Sequence, residues 1–197
     1  MRHALEWRCG DNSMRIITGK FKGRSLTTVE DMSVRPVTDR VKGSIFNMLQ
    51  NRLDLRGIAV LDLFAGSGSL GFEALSRGSL RVVFVDDDHK ALDAIEENAE
   101  HLDCLASCEI IQSDSFSYMG RLVGEEFSLI FADPPYAYER TPDIPAEIFQ
   151  HQLLKKEGLL IIEHDRRTTF PLSPLFSMAV QREFGNTRIS FFTHPPQ

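Results

Sequence analysis

Apolar positions over the later three-quarters of the chain recur in two alternating rhythms. Short runs rich in Val, Ile, Leu and Phe fall at 58–63, 81–86, 108–112, 127–132 and 159–163, and between them apolar residues return every three to four positions over 69–77, 89–101, 115–122 and 144–155. Runs of four to eight bounded by turn residues predict strands, and the 3.6-residue repeat predicts amphipathic helices. Strand and helix alternating through short connections predict an α/β fold with a parallel, doubly wound sheet. The rhythm changes at the end: residues 178–184 and 188–193 alternate on either side of Gly185-Asn186, which predicts a terminal antiparallel hairpin.

The front of the chain follows another plan. Residues 15–19 and 24–29 flank the turn Lys20-Phe21-Lys22-Gly23, predicting a β-hairpin with a basic turn. Thr38 is suited to cap a helix carrying Val41, Ile45, Met48 and Leu49 at helical spacing. Gly43 is unexpected there, since glycine costs about 1 kcal/mol relative to alanine inside a helix. Residues 1–13 show no periodicity, and a new pattern opens at Met14. The chain therefore divides into a dispensable extension (1–13), an N-terminal hairpin and helix (14–56) and a main domain (57–197).

With 197 residues, 42% of them hydrophobic, the chain can fill one main core with a small appendage. No stretch approaches the roughly 18 uncharged apolar residues of a membrane span, and Arg2, Glu6 and Arg8 make the start unlike a signal peptide, so a soluble cytoplasmic protein is expected. Cys9, Cys104 and Cys108 are too few and too badly spaced for a disulfide framework or a zinc site, and read as reduced structural thiols. The net charge of −6 hides an asymmetry. Residues 1–56 hold 11 Lys and Arg against 6 Asp and Glu, whereas residues 57–197 hold 11 against 22. A basic segment ahead of an acidic domain suits attraction to phosphate, with Lys20, Lys22, Arg24, Arg35 and Arg40 as candidate contacts. A solvated basic face explains the same counts.

Candidate chemistry begins after the first strand of the main domain, in Asp62-Leu63-Phe64-Ala65-Gly66-Ser67-Gly68-Ser69-Leu70-Gly71. Glycines there allow a tight turn and close approach of a ligand to a helix N-terminus. The spacing alone also serves dinucleotides, but Asp62 ahead of the loop suits a positively charged ligand better than a pyrophosphate. Asp86 ends the second strand, where a carboxylate can accept from ribose hydroxyls. Asp114, followed by Ser115, is open to two readings, an acceptor for an adenine amino group or an N-cap of the next helix. Asp87 and Asp88 read as helix-start charges.

The most distinctive motif is Asp133-Pro134-Pro135-Tyr136, directly after an apolar strand. Two prolines leave the loop little freedom to lose on binding. An aryl amine is a poor nucleophile because its lone pair is delocalised into the ring. If the Asp133 carboxylate and the Pro134 carbonyl each accept one amine hydrogen, the pyramidal form is favoured and its lone pair is aimed for in-line displacement. Tyr136 can stack on an extruded base through its ring, with no role for the hydroxyl. A proline-stiffened structural turn is the plainer reading of the same tetrapeptide.

Asp62 to Gly71 together with Asp133 to Tyr136 resemble motifs I and IV of the amino methyltransferases that use S-adenosylmethionine. Met14-Arg15-Ile16-Ile17-Thr18-Gly19 with Gly23-Arg24, Arg35-Pro36 with Thr38-Asp39-Arg40-Val41-Lys42, and Phe46-Asn47 with Leu49 resemble the bacterial 16S rRNA guanine-N2 methyltransferase family RsmD. The resemblance runs from Met14 nearly to the end. It implies a Rossmann-like class I methyltransferase fold, with a mostly parallel seven-stranded sheet whose last strand is reversed, preceded by a hairpin and helix that help hold RNA. It also implies S-adenosylmethionine as cofactor, 16S rRNA as partner, free or in a small-subunit assembly particle, and no metal. Asp62, Gly66, Gly68 and Asp86 would bind cofactor, with Phe64, Ala65, Asp114 and Ser115 beside them, and Asp133, Pro134 and Tyr136 would hold the guanine. Val37 and Gly43 depart from the family's pattern.

Three other functions share parts of these motifs. Protein glutamine methylation uses a related loop but typically has Asn where Asp133 stands. DNA adenine or cytosine methylation commonly uses this same tetrapeptide. An RNA-binding assembly factor that kept the fold would need neither loop intact. None of the six histidines is placed for metal binding or proton transfer.

Overall fold

The structure, a computed structural model, describes residues 14–28 and 39–196. The readings placed on residues 1–13, Arg35, Val37 and Thr38 lie outside the described residues. In chain order the elements are α1 (Asp39–Leu49), β1 (Ala59–Leu63), α2 (Ser69–Ser76), β2 (Arg81–Asp86), α3 (His89–His101), β3 (Cys108–Gln112), α4 (Ser115–Met119), β4 (Phe127–Ala132), α5 (Ile144–Gln150), β5 (Leu154–Asp165), β6 (Ser177–Phe184) and β7 (Thr187–Thr193). No described helix is long and apolar enough to cross a membrane.

The seven strands form one sheet in the order β3-β2-β1-β4-β5-β7-β6. β1 to β5 pair in parallel, and β7 runs antiparallel between β5 and β6. The central strands are continuous apolar runs because both faces are covered. Val60, Val82, Phe84, Leu129 and Phe131 pack on one face, and Leu61, Val83, Val85 and Ile130 on the other. All parallel strands end at one edge, where chain direction reverses and ligands of such sheets bind.

The N-terminal segment is built into this core. Ile16, Phe21, Leu26, Val41, Ile45, Phe46 and Leu49 share one apolar cluster with Phe72, Leu75 and Phe84. They cover the outer side of α2 so fully that every residue of that helix is buried. Glu73 on α2, 0% exposed, therefore needs internal partners. It accepts the N–H groups of Ile17 at 2.7 Å and Thr18 at 3.1 Å and pairs with Arg77 at 2.8 Å. Gly19 is required where the segment turns: its φ is +90°, and a Cβ would lie 1.9 Å from the Ser76 carbonyl oxygen.

Four element boundaries differ from the sequence pattern. The predicted front hairpin forms but is short: the antiparallel bridge Arg15 to Ser25 is flanked by backbone bonds from Ile16 to Arg24, Gly23 to Ile16 and Leu26 to Met14, and beyond it the N–H groups of Ile17 and Thr27 turn to Glu73 on α2 and Asn98 on α3. The helix read over 144–155 stops at Gln150, and Gln152 takes a left-handed φ of +55°. Residues from Leu154 then join β5, whose pairing with β4 shifts register between Phe127 and Leu129, so an early strand had resembled a helical continuation. The helix read over 115–122 ends at Met119, before Gly120.

Candidate active site

The glycine loop leaves the carboxyl edge of β1 through residues held in uncommon conformations. Phe64 (φ 56°), Gly66 (φ 54°) and Gly68 (φ 75°) all have positive φ. For Phe64 this costs roughly 1–2 kcal/mol, and its ring is fixed edge-on to Tyr138 at 5.2 Å. Ala65 donates its N–H to Val85, and Gly68 donates to Ala65, closing the turn. Gly71 serves packing: a Cβ there would meet Phe84 at 2.3 Å.

Two carboxylates brace this loop. Asp62, 2% exposed, accepts the Gly71 N–H at 2.9 Å, linking β1 to the first turn of α2. Asp86 accepts the Gly66 N–H at 2.8 Å with one oxygen and the Asp88 N–H at 3.0 Å with the other. The sequence reading of Asp62 as a group aimed at the ligand thus gains a second role, support from below. Burial raises both carboxyl groups above the usual range, against the lowering effect of these N–H donors; the negative charges of Asp133 and Asp86 push Asp62 further up.

Asp133 follows β4 at the same edge. Its backbone N–H points to the Leu63 carbonyl at 3.4 Å, so the Asp-Pro-Pro-Tyr loop and the glycine loop start side by side. The residue is part-buried and its carboxyl is desolvated, which pushes its pKa up to about 7. Pro135 gives its carbonyl to the Tyr138 N–H at 2.8 Å. The buried Pro134 has no such bond among the described residues, leaving its carbonyl as an acceptor. Three carboxyl groups gathered at one edge, all of them made costly to ionise by burial, fit a cationic sulfonium better than a pyrophosphate.

Tyr136 is 53% exposed, as a stacking platform needs to be, but its hydroxyl is not idle. It donates to the Asn186 carbonyl at 2.7 Å, in the turn between β6 and β7, a partner the reading of Tyr136 as a stacking ring did not include. Asp114 caps α4 by accepting the Ser117 N–H at 2.8 Å, so the cap reading holds; Ser115 beside it is buried. Asp88 likewise caps α3 through the Lys90 N–H.

The basic candidates are not gathered at this edge. Lys20 donates its N–H to the Ser76 carbonyl at the C-terminal end of α2, and Arg24 reaches the His101 carbonyl at the end of α3. Both ends lie at the amino edge, so Lys20, Lys22 and Arg24 flank the side away from Asp133. Arg40 is exposed on α1. Lys42, counted in the basic front, is wholly buried and holds the Arg15 carbonyl at 2.7 Å and Ser69 Oγ at 2.9 Å; burial lowers its pKa.

Three residues that sequence reasoning passed over support the site. Asn98 on α3 accepts the Thr27 N–H at 2.7 Å and donates to the Ser67 carbonyl at 3.3 Å, tying the front segment to the glycine loop. Lys42 does the same through Ser69. Tyr138 packs between Phe64 and Phe116, joining the Asp-Pro-Pro-Tyr and glycine loops. Tyr138 stands near the tetrapeptide and Lys42 closes the motif that begins at Thr38, whereas Asn98 has no local signal. A cavity of about 1130 Å³ between Arg52, Lys156, Leu159, Phe191 and His194 opens at the amino edge, remote from these loops. Among the described residues no cluster of His, Cys, Asp or Glu could hold a metal ion.

This strand order, with a glycine loop after β1 and an acid at the end of β2, defines a class I methyltransferase whose cofactor is S-adenosylmethionine. Comparison with known proteins narrows the class. The family described as Conserved hypothetical protein 95 matches residues 14–193, and the chain belongs to it, the RsmD family. YlbH of Bacillus subtilis (strain 168), named as an rRNA methyltransferase, is 41% identical over 160 residues, covering 80% of this chain and 86% of that protein. Ribosomal RNA small subunit methyltransferase D of Haemophilus influenzae is 32% identical over 155 residues, 78% of this chain and 79% of that one. The solved structure of yhhF from Escherichia coli, described as a methyltransferase, superposes with a TM-score of 0.81 at 26% identity, covering 94% of this chain and 99% of that one.

Proposed function

We propose that this protein transfers a methyl group from S-adenosylmethionine to the exocyclic N2 of a guanine in small-subunit ribosomal RNA. The observation that carries the reading is Asp133 beside the glycine loop, a desolvated carboxyl with its pKa near 7 next to the Pro134 carbonyl. When bound, S-adenosylmethionine supplies an activated methyl group on a sulfonium. Asp62, Gly66, Gly68 and Asp86 are the residues that would hold it, with Phe64, Ala65, Asp114 and Ser115 at the border of the same pocket.

The chain's own part is to present the amine. Guanine offers two adjacent donors, N1–H and N2–H, which one carboxylate can accept together. Asp133 and the Pro134 carbonyl take hydrogens from the amine and turn its lone pair toward the methyl group. A carboxyl with a pKa near 7 is also suited to receive the proton that leaves the amine. Tyr136 supports the flipped base from outside, its ring fixed by Asn186. Lys20, Lys22, Arg24, Arg35 and Arg40 are proposed contacts for more distant RNA. The printed names of the relatives support rRNA as the substrate class.

The test offers labelled S-adenosylmethionine with rRNA, tRNA, DNA and release factors in parallel, and identifies the product nucleoside by mass spectrometry. N2-methylguanine in small-subunit rRNA is expected. Methyladenine, or label on protein alone, would overturn the reading.

A further inference from the structure

One oxygen atom holds a side chain and a stretch of backbone at the mouth of the site. The Asn186 carbonyl accepts the Tyr136 hydroxyl at 2.7 Å and the Arg166 backbone N–H at 2.9 Å. The residue that follows β5 is thereby held at a fixed offset from the aromatic ring of the catalytic loop. Arg166 is exposed, and its guanidinium makes no ion pair or hydrogen bond among the described residues. Its neighbours are already committed. Arg167, with its side chain 82% exposed, grips Asp165 through Nε at 3.1 Å and a terminal nitrogen at 2.8 Å, and Arg188 pairs with Glu183 at 2.5 Å. Arg140 stacks on the Phe116 ring at 3.6 Å and faces Glu147 and Asp143.

A base extruded into the Asp133–Tyr136 loop brings its flanking phosphates to this mouth, since the nucleotide stays linked on both sides. Those phosphates need a cation at the carboxyl edge. Lys20, Lys22 and Arg24, packed at the amino edge, cannot serve there. We propose that Arg166 holds a backbone phosphate of the RNA strand next to the target nucleotide, with Arg167 adding positive potential behind it. The inference rests on the reading of the protein as an RNA base methyltransferase and adds the surface by which the strand is gripped. A pinned backbone fixes where the guanidinium can reach, and its planar fork can close two hydrogen bonds on one phosphate without first breaking an ion pair.

The test compares Arg166→Ala, Arg166→Glu and Arg166→Lys with the wild-type chain, using deproteinised small-subunit rRNA as the probe. Binding is measured from low to moderate salt, with steady-state methyl transfer and S-adenosylmethionine affinity in parallel. Removing one phosphate contact should lower the salt slope by about 0.7–0.9. Arg166→Glu should weaken RNA binding by about tenfold or more at low salt, with the loss falling on KM for RNA and cofactor affinity unchanged. Arg166→Lys should recover most of the slope. A slope and KM equal to wild type in Arg166→Glu, while the wild-type chain methylates rRNA, would overturn the inference and leave the proposed function standing. A wild-type chain that methylates rRNA neither free nor within a small-subunit assembly particle would overturn the substrate reading and the inference with it.

Discussion

Asp86 and Gly66 are joined across two strand ends: the carboxylate at the end of β2 accepts the N–H of the loop that leaves β1, at 2.8 Å. Asp86 therefore does two things at once. It fixes the glycine loop and, in the proposed function, accepts from a ribose at the carboxyl edge. Asp86→Ala is expected to weaken S-adenosylmethionine binding by about 1.5–3 kcal/mol, the range for charge-assisted hydrogen bonds. Asp86→Asn should recover only part of this, because its amide presents donors where Gly66 and Asp88 also present donors. Titration calorimetry decides, and wild-type affinity in Asp86→Ala would remove Asp86 from the cofactor site.

The raised pKa of Asp133 links chemistry to stability. Its carboxyl titrates at about 7 in the folded chain against 3.8 for an unperturbed aspartate, so the folded state binds more protons than the unfolded state between those values. The stabilising contribution is complete below about pH 4 and is lost as the pH rises through 7. Asp133→Asn should therefore make the ligand-free protein more stable than wild type at pH 8, by on the order of 1–4 kcal/mol, with the gain shrinking toward pH 5. The same variant should lose transfer by roughly 100- to 1,000-fold while still binding S-adenosylmethionine. In the wild type, kcat/KM should climb as Asp133 ionises near pH 7. Denaturant unfolding at pH 5 and 8 tests the first part and single-turnover methylation the second; no stability difference between the two pH values would contradict the assigned environment.

How much of this was legible in the sequence depended on whether the signal was local. The glycine loop and the Asp-Pro-Pro-Tyr loop are each short runs of adjacent residues, so the two halves of the proposed site were visible as local motifs. The sheet was legible for the same reason, since a strand buried on both faces is a continuous apolar run, as 127–132 shows. What was not legible depends on partners far along the chain. Nothing near Asn98 announces that it meets Thr27 and Ser67, 71 and 31 residues away. The charge of Lys42 suggested a surface residue until α2 and the front segment closed over it. The start of β5 was misread because Leu153 and Leu154 continue the spacing of Ile148 and Phe149, and only pairing with Phe127 makes Leu154 a strand residue.

The Tyr136 hydroxyl separates two kinds of contribution. Tyr136→Ala removes the stacking ring and should weaken capture of the flipped base by about 1–3 kcal/mol. Tyr136→Phe keeps the ring but loses its bond to Asn186, which at this exposed position contributes about 0.5–1 kcal/mol. The Phe variant should accordingly show a KM for rRNA a few-fold above wild type with cofactor affinity unchanged. Steady-state kinetics with purified rRNA would show it. Identical KM values in wild type and the Phe variant would mean that the tether does not orient the ring.

Two glycines of the N-terminal segment should respond in opposite directions to the same substitution. Gly43 lies inside α1 with a helical backbone, and among the described residues a Cβ there would meet nothing nearer than an Ile17 methyl at 3.9 Å, so none of them requires glycine. Gly43→Ala should stabilise the protein by about 0.5–1 kcal/mol by restricting the unfolded chain. At Gly19 the backbone has φ +90°, and a Cβ would be driven to 1.9 Å from the Ser76 carbonyl oxygen. Relief requires moving the segment off α2, where Lys20 donates its N–H to that same carbonyl and Ser76 Oγ accepts the Phe21 N–H. Gly19→Ala should thus cost about 1–3 kcal/mol or more. Because Asn98 and Lys42 connect the same segment to Ser67 and Ser69, part of the loss should reappear as weaker S-adenosylmethionine binding, whereas Gly43→Ala should leave binding as it is. Thermal unfolding with and without cofactor reads both effects, and a Gly19→Ala protein as stable as wild type would show that the segment is not held against α2 as described.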